Sequence, residues 1–589
     1  MKKILVILLF LASASVYAQR ITITGTVSDE KGAPLPGSTV QLKGSTVGGL
    51  TDLEGKYTIE VPGPNSSLVF SFVGYIPKEV QVLNQTVINV TLREEVQGLE
   101  EVVVVGYSTQ KKLNLTAAVD QVTSETLENR QIPNVTQGLQ GVMPNLNITL
   151  LDGKPIQAPS YNIRGTTSIG QGGSALVLID GVEGDPSLLN PNDVASVSML
   201  KDAASAAIYG ARGAFGVVLI TTKNPEKGKT SITFNSSYSF KDPVAKPDFV
   251  TDGYTYIKMF TEAFLNGDGS FPQNINKTQK MSQAYLDAFR ERAESGQPYE
   301  EVEINPANGE YVYYASTDWY NQLYKDNTGA MDNNLTITGS GERTTYLLSG
   351  RYMTQNGLFR YNTDDYSMAN VRAKGSIQVF PWLEVFNNAD YSTMGYYNPM
   401  NVGEGSGIWR NIADEGHPSA PMFNPDGTLS MSSVYTVGDF WYGKNGIDTK
   451  RRVFKNTAGF NTNFFDNKFR VKGDFTFQNT DNDQERKRVQ VPYSNKPGTI
   501  AYVGTTTNDL TFEQRTTQYI ATNVYSEYEN TFNDVHYLKF MVGVNYENST
   551  YDRIYVQRNG IIYDDAKVFT KDYSEQYLWN QTINYDSWQ

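Results

Sequence analysis

The 589-residue chain contains no cysteine and only two histidines. Without cysteine it forms no disulfide, no thiolate metal site, no cysteine nucleophile and no lipid-modified N-terminal cysteine. His417 and His536 lie far apart, and neither has an acid and a nucleophile around it, so we interpret both as ordinary loop or strand residues. The sequence offers no other nucleophile, metal cluster or pair of acids in a catalytic setting. We therefore expect neither an enzyme nor a cofactor or metal site.

Long apolar runs are also missing. Ile4 to Ala12 is an apolar run of nine residues, and a transmembrane helix needs about 20. Lys2 and Lys3 precede this run, and the small-residue pattern Val16-Tyr17-Ala18 follows it. This arrangement predicts a secretory signal peptide over residues 1–18, so we expect the mature chain to be exported.

Positive charge is in deficit as well, with 50 Lys and Arg against 63 Asp and Glu. Phosphate binding needs clustered Lys and Arg, so this balance argues against nucleic acid as a partner. The chain is instead rich in tyrosine, with 38 residues, and in glycine, with 50. Such a composition fits a secreted β-protein, or an outer-membrane barrel, whose strands give a weak hydropathy signal.

Residues 19–95 show short strands separated by turn residues. Tyr57, Ile59 and Val61 alternate with Thr58 and Glu60, which predicts a half-buried strand. Turn residues occupy 29–32 and 52–55, and the second turn lacks the ligand spacing of a calcium loop. We predict a small β-sandwich. The segment resembles the carboxypeptidase-regulatory-like modules, which are accessory domains with no catalytic residues.

Residues 98–226 form a second, mixed α/β region that begins with four consecutive valines, Val102–Val105. β-Branched residues favour an extended backbone, but the polar residues on both sides give no sign of a core for this strand. Two glycine-containing segments, 170–173 and 227–230, lack the spacing of phosphate-binding loops. No nucleotide site is supported.

From about residue 229 onward, long strands alternate between apolar and polar residues. In "SITFNSSYSFK", Ile232, Phe234, Tyr238 and Phe240 share one face, and polar residues share the other. Apolar and polar faces over about ten residues per strand are typical of a transmembrane β-barrel; a soluble β-sandwich is the alternative. We predict strands near 230–241, 332–340, 344–355, 366–379, 382–394, 452–466, 468–479, 515–531, 535–549 and 575–587.

The connections between these strands alternate strictly between long and tight. Tight ones are predicted at 341–343, 380–381, 466–467 and 533–534. Outer-membrane barrels have short periplasmic turns and long external loops, so the alternation predicts that the chain enters the barrel from the periplasmic side.

Several motifs occur in a fixed order along the chain: "LEEVVVVGYSTQKKLNLTAAVDQV", "IRGTTS", "VLIDGV" and "LNPNDVASVSMLKDAASAAIYGARGAFGVVLITTK". Together they resemble the SusC/RagA family of TonB-dependent outer-membrane transporters of Bacteroidetes. The resemblance implies a TonB box at residues 98–110, a plug (the plug region, 111–226) and part of a barrel (the barrel region, 229–589). The family's barrel has about 22 strands, and roughly ten cannot close around a plug, so we expect a truncated chain.

The resemblance also assigns the candidate site residues. Periplasmic TonB, energised by ExbB and ExbD, would add a strand to Val102–Val105. The TonB-binding set is Glu101, Val102, Val103, Val104, Val105 and Gly106. The plug motif set, expected to make plug architecture and polar contacts to the barrel, is Arg164, Gly165, Asp180, Gly181, Lys201, Asp202, Tyr209, Gly210 and Arg212.

The expected function is import of a nutrient across the outer membrane, an oligosaccharide rather than a peptide, with a SusD-like surface lipoprotein as partner. The N-terminal domain and the TonB box would lie in the periplasm, and the barrel would contact outer-membrane lipid. Trp409, Trp441 and Tyr442 are candidates for substrate contact, although aromatic residues are also abundant at barrel interfaces. An exported binding or adhesion protein without transport activity, and a signalling transducer of the same superfamily, are the alternatives.

Overall fold

The computed structural model describes residues 21–29, 32–43, 45, 47–72, 75–93, 102–105, 108–111, 119–128, 132, 134–149, 155–156, 160–163, 174–202, 206–225, 228, 230–275, 278–401, 408–504, 508–533, 536–561 and 576–588. The predicted signal peptide, Glu101, Gly106, Arg164 and Gly165 lie outside the described residues. The chain divides into two compact units, one of residues 1–104 with 108–116 and the other of residues 105–107 with 117–589.

The first unit is a small β-sandwich, as the sequence predicts. Its strands are β1 (Ile21–Ser28), β2 (Thr39–Leu42), β3 (Gly48–Leu50), β4 (Lys56–Val61), β5 (Ser67–Ser71), β6 (Lys78–Gln81) and β7 (Val90–Thr91). One sheet has the order β4-β1-β7 and the other β3-β2-β5-β6. Tyr57, Ile59 and Val61 are buried while Thr58 and Glu60 are exposed, because alternate residues of a strand point to opposite faces.

The four valines form a strand, β8 (Val102–Val105), which pairs with β9 (Ser108–Lys111). The family resemblance implies an unpaired edge strand at these valines, and the pairing with β9 shows that this expectation is wrong. Only two residues separate the strands, so the polar segment that follows the valines folds back and satisfies one row of their backbone groups. Within the described residues this sheet has two strands, and a two-stranded ribbon is marginally stable in water.

The plug region is a mixed α/β structure. Its elements are β10 (Val119–Thr123), α1 (Glu125–Glu128), α2 (Val135–Leu139), β11 (Leu146–Thr149), β12 (Ser160–Ile163), β13 (Leu176–Ile179), β14 (Val182–Glu183), β15 (Val194–Leu200) and β16 (Val217–Thr222), with 3₁₀ helices at Pro186–Leu188, Pro191–Asp193 and Ala207–Gly213. The main sheet has the order β10-β15-β16-β13-β14, with β13 and β16 parallel. All four residues of β13 are buried, as expected of a strand covered on both faces.

In the barrel region the strands are β17 (Ser231–Lys241), β18 (Asn274–Ile275), β19 (Gln279–Lys280), β20 (Val302–Ile304), β21 (Tyr311–Tyr313), β22 (Thr328–Ser340), β23 (Thr344–Asn356), β24 (Asp365–Phe380), β25 (Leu383–Pro399), β26 (Gly446–Phe464), β27 (Phe469–Arg488), β28 (Val491–Lys496), β29 (Thr499–Val503), β30 (Asp509–Phe532), β31 (His536–Asn559) and β32 (Gln576–Trp588). The helices are α3 (Gly253–Asp268), α4 (Gln283–Glu294), α5 (Trp319–Leu323), α6 (Ile408–Glu415), α7 (Met431–Ser433) and α8 (Asp439–Tyr442), with a π-helix at Val434–Gly438.

Ten of these strands form one antiparallel sheet, the barrel sheet, in the order β17-β22-β23-β24-β25-β26-β27-β30-β31-β32. All ten match strands predicted from the sequence. Its apolar face is open: Ile232 is 71% exposed and Phe240 78%. The opposite face carries buried polar residues such as Ser349, Asn370 and Arg372. The protein thus covers the polar face of the sheet and leaves the apolar face exposed. This is the pattern of barrel strands in lipid.

Several strands of the barrel sheet, among them β27 and β30, extend further than predicted at the ends that join the long connections. β27 has 20 residues and β30 has 24, whereas crossing the membrane takes about 9–11. The sequence analysis assigned 480–514 to a loop, because "NTDNDQERKR" in β27 shows no apolar alternation. Beyond the apolar band a strand needs no lipid-facing side chains, and backbone pairing of β27 with β30 extends from Phe469 to Arg488.

The long connections of the sheet are, in chain order, residues 242–327, 357–364, 400–445, 489–508 and 560–575. The described residues of the first, third and fourth carry helices or short strands of their own. Trp319 and Leu323 of the first pack with Val434 and Phe440 of the third and with Val491 of the fourth. Among the described residues no helix is long and apolar enough to cross a membrane.

Candidate functional site between the plug region and the barrel sheet

The turn between β13 and β14 carries two of the predicted plug motif residues. Asp180 has φ 52° and Gly181 has φ 84°, and a two-residue hairpin turn with both φ values positive favours Asp-Gly. The Asp180 carboxylate accepts hydrogen bonds from the backbone N–H of Thr222, at 2.9 Å, and from its hydroxyl, at 2.7 Å. The turn is thereby tied to the end of β16.

The same carboxylate faces the barrel sheet. Asn388 donates its amide to Asp180 at 3.0 Å, and Arg372 lies 3.4 Å away. Lys455 donates to the carbonyl of Ile179 at 2.8 Å. Burial alone would raise the pKa of Asp180, but Lys374, Arg372 and Lys455 outweigh it and lower the pKa to about 2. The carboxylate is therefore ionised at every physiological pH.

Arg372 joins three carboxylates. Besides Asp180, it lies 3.3 Å from Asp193 of the plug region and 2.9 Å from Asp390 of the neighbouring strand. Burial raises the pKa of Asp193 against the opposing charge of Arg372, and Ser349 donates to Asp193 at 2.9 Å. We name this group the hairpin cluster; its charged members are Asp180, Asp193, Asp390, Arg372, Lys374 and Lys455. Three acids balance three bases, as burial of charge requires.

A second ionic contact lies at the 3₁₀ helix Ala207–Gly213. Arg212 donates two parallel hydrogen bonds to Glu547 of β31, at 2.5 and 2.9 Å. Paired bonds from one guanidinium to one carboxylate are among the strong and geometrically specific ion pairs. Glu183 lies 3.7 Å from the same guanidinium.

Further polar contacts extend along the sheet. Arg451 pairs with Asp185, Arg351 donates to the carbonyl of Ile132 at 3.0 Å, and Asn370 donates to the carbonyl of Leu188 at 2.7 Å. Strands β22 to β26 and β31 thus all contact the plug region through their polar face.

A cavity of about 50 Å³ lies between Leu189, Arg372 and Arg451. Such a volume holds roughly three to five waters. Residues of these polar contacts, among them Asp185, Arg372 and Arg451, line the cavity.

Comparison with known proteins gives two family matches. Residues 23–104 match the CarboxypepD_reg-like domain, and residues 111–217 match the TonB-dependent receptor plug domain. TonB-dependent receptor P3 of Formosa agariphila is 30% identical over 560 residues, which cover 93% of this chain and 50% of the relative. SusC of Bacteroides thetaiotaomicron is 28% identical over 484 residues, which cover 74% of this chain and 43% of SusC.

The chain belongs to the SusC/RagA family of TonB-dependent receptors. Among solved structures, the RagAB peptide importer in its open-open state has a TM-score of 0.63 at 22% identity, covering 82% of this chain and 53% of the importer chain. At this identity the match concerns the fold. The chain spans half or less of the length of the curated relatives it matches.

The other plug motif residues that the structure describes are not members of the hairpin cluster. Lys201 pairs with Asp120 of β10, within the plug itself. Tyr209 is buried. The Ala-rich sequence before Gly210 predicts a helix that ends at this glycine, but Gly210, with φ 56°, lies within the 3₁₀ helix Ala207–Gly213 and kinks it. Asp202 accepts the backbone N–H of Ala206 at its carbonyl. Arg164 and Gly165 fall outside the described residues.

The predicted substrate-contacting residues lie in the connection between β25 and β26. Trp441 is 46% exposed and makes an edge contact with Phe423 at 5.1 Å between ring centroids. Tyr442 packs partly against the apolar cluster of the long connections. Trp409 lies in α6. Within the described residues no group of His, Asp and Glu could hold a metal ion.

The sequence analysis missed the barrel half of the hairpin cluster. Arg372, Asn388 and Lys455 occupy polar positions on the consecutive strands β24, β25 and β26. Nothing in their local sequence distinguishes them from other residues of the polar face. After Asn190-Pro191-Asn192 the sequence predicts that Asp193 starts a helix, but in the structure Asp193 ends the 3₁₀ helix Pro191–Asp193 and precedes β15. Asn190 caps this helix by accepting the N–H of Asn192, and the "NPND" motif is the signal that could have revealed the cap.

Proposed function

We propose that this chain is part of an outer-membrane importer that takes up a nutrient by TonB-driven displacement of the plug. The observation that carries the proposal is the hairpin cluster, which fixes the plug to the sheet through buried, balanced charges. Breaking one buried ion pair costs about 3–5 kcal/mol, so thermal opening of several at once is rare. Work supplied from outside the barrel overcomes that barrier.

The segment that receives this work is β8. Its backbone pairs with β9 on one side, so the other edge can accept an added strand. TonB would bind there, because main-chain hydrogen bonds tolerate many side chains and four valines already favour the extended form. Force on β8 is then transmitted along the chain to the plug. ExbB and ExbD would energise TonB, with β8 and the N-terminal sandwich in the periplasm.

The proposed cargo is an oligosaccharide, and a SusD-like lipoprotein would cover the long connections. The structurally similar RagAB is a peptide importer, so a peptide is the competing cargo. Trp441 supports the sugar assignment, since it presents an exposed aromatic ring among the long connections. A cell-surface adhesion protein would share these loops but would have no use for a strand that TonB captures.

Substitution in β8 tests the coupling. Val103→Pro removes a backbone N–H and cannot donate to an added strand, whereas Val103→Thr keeps both the N–H and the β-branched shape. In detergent-solubilised full-length protein we expect the proline variant to bind the TonB C-terminal domain at least about tenfold more weakly. The threonine variant should bind within about twofold of the wild type. Equal binding by both variants would rule out strand addition at β8.

Growth of the native bacterium tests transport and cargo. A deletion strain is compared with the wild type on oligosaccharides and on peptides as sole carbon source, and the Val103 variants are then placed at the chromosomal locus. We expect a defect on an oligosaccharide, reproduced by Val103→Pro and absent in Val103→Thr. A defect confined to peptides would reassign the cargo, and normal growth with lost surface adhesion would favour the adhesion protein.

A further inference from the structure

A second cavity lies among the long connections, and its lining residues all belong to those connections. Its volume is about 250 Å³, roughly twenty times what a single water requires. Three separate segments form it: residues 278–313 of the first connection, Met431 of the third and Asn495 of the fourth. A cavity of this size accepts a compact molecule of about twelve non-hydrogen atoms, such as one pyranose ring.

The walls retain hydrogen-bonding capacity that the protein does not use. Gln279 is 6% exposed, and its amide nitrogen donates to the carbonyl of Lys280 at 3.0 Å. Its Oε1 and the neighbouring hydroxyl of Thr278 are buried, and neither has a hydrogen-bond partner among the described residues. Such groups are rare in folded proteins and call for a partner. On the exposed side, the amide of Asn495 donates to the sulfur of Met431, a weak acceptor, at 3.9 Å.

The aromatic walls are held rigidly. The hydroxyl of Tyr311 donates to Asp426 at 2.9 Å, that of Tyr313 to Asn424 at 2.9 Å, and that of Tyr285 to the carbonyl of Tyr313 at 2.7 Å. Each ring is therefore fixed before a ligand arrives, which lowers the entropic cost of binding. All three tyrosines are buried, and they line the same cavity as Gln279 and Thr278.

The charge of the lining selects the ligand class. Lys280 and Glu310, its charged members, are paired at 2.5 Å, so neither a free cation nor a free carboxylate awaits a ligand of opposite charge. A peptide would be recognised mainly through the edge of a sheet, whereas the unused groups here belong to side chains. We propose that this cavity binds a neutral sugar unit, whose hydroxyls serve Gln279 and Thr278 and whose C–H face packs on the tyrosines.

Binding is tested on the detergent-solubilised full-length protein by saturation-transfer NMR. The probes are the methyl glycosides of glucose, galactose, mannose and xylose, with N-acetylalanine amide as the peptide probe. Gln279→Met keeps the side-chain length and removes the amide, and Gln322→Met makes the same change on α5, outside the cavity. We expect at least one glycoside to bind the wild type and Gln322→Met, and to bind Gln279→Met at least about fivefold more weakly.

A second variant guards against misfolding. Asn495 is exposed, so Asn495→Trp can fill the cavity from its open side without disturbing a core, and it should abolish glycoside binding. The absence of binding by all four glycosides, binding of the peptide probe alone, or unchanged binding in Gln279→Met and Asn495→Trp would each overturn the proposal. Since the measurement needs no TonB, such a failure leaves the import proposal to be decided by the Val103 variants.

Discussion

Replacing Asp180 with asparagine tests whether the hairpin cluster holds the plug. Asp180→Asn keeps the shape of the side chain and removes one of the three negative charges that balance Arg372, Lys374 and Lys455. The asparagine amide also brings a donor to a position where Thr222, Asn388 and Arg372 already direct hydrogen-bond donors. We expect the plug to unfold or detach more readily while the barrel sheet stays intact.

The magnitude follows from the pKa of this carboxyl. Its depression from 3.8 to about 2 corresponds to about 2.5 kcal/mol of stability at about 1.36 kcal/mol per pH unit. Because the pKa is lower in the folded state, this stability is fully present above pH 3.8 and is lost as the pH falls toward 2. The uncompensated cation left behind could raise the cost to about 4 kcal/mol at neutral pH.

The absence of cysteine makes the assay direct, because one introduced thiol is the only one in the chain. Ser198 is buried in β15, which lies between β10 and β16 in the plug sheet, so we expect Ser198→Cys to react with a maleimide only when the plug opens. Labelling is followed against urea concentration at neutral pH in Ser198→Cys with and without Asp180→Asn. With a slope of about 1–3 kcal/mol per molar urea, the labelling midpoint should fall by roughly 1–2.5 M.

Two further measurements bound this prediction. Asp287→Asn, an exposed aspartate on α4, should leave the midpoint unchanged, since surface substitutions alter stability by about 0.5 kcal/mol at most. The difference in labelling midpoint between Asp180→Asn and the wild type should become smaller below pH 3.8. An unchanged midpoint for Asp180→Asn at neutral pH would show that the cluster does not hold the plug.

The remaining predictions concern Arg212 and His417. Arg212→Lys replaces two parallel hydrogen bonds to Glu547 with one, so the same labelling assay should show that the plug is less stable by about 1–2 kcal/mol. A labelling midpoint equal to that of the wild type would mean that the Arg212–Glu547 pair does not stabilise the plug. Burial lowers the pKa of His417 from 6.5 to about 4, so the folded state keeps it neutral and stability falls as the pH drops from 6.5 toward 4. Trp319 donates to the His417 carbonyl at 2.9 Å, so its fluorescence follows unfolding of the long connections. The free energy of unfolding should fall by about 2–3 kcal/mol between pH 6.5 and 4.5. His417→Asn should remove most of this pH dependence.

Strand positions in the barrel sheet were predictable because lipid imposes alternation on every strand that crosses it. Phe234 and Phe240 had to share a face, and both lie on the open apolar face. Strand ends were not predictable in the same way. The polar residues Asn479 to Arg488 extend β27 through backbone pairing alone, and backbone pairing leaves no periodic trace in the sequence.

The candidate site was predictable on the plug side only. Asp180-Gly181 is recognisable in the sequence, because a two-residue hairpin turn requires positive φ values that Asp and Gly adopt readily. Its partners Arg372 and Asn388 lie 192 and 208 residues further along the chain. The alternating pattern places such residues on the inner face, but the register of the sheet against the plug decides which one meets Asp180, and that register is a tertiary property.

The distribution of charge in the hairpin cluster bears on how the plug returns after opening. Asp180 and Asp193 belong to the plug, whereas Arg372, Lys374, Lys455 and Asp390 belong to the sheet. Withdrawal of the plug therefore leaves three cations and one carboxylate on the sheet, a surplus of two positive charges facing the space that the plug vacates. Like charges at such spacing repel unless water or the two departed carboxylates compensate them. Under the import proposal, this surplus would draw the hairpin back once the pull on β8 ends, so the contacts that resist opening would also make opening reversible.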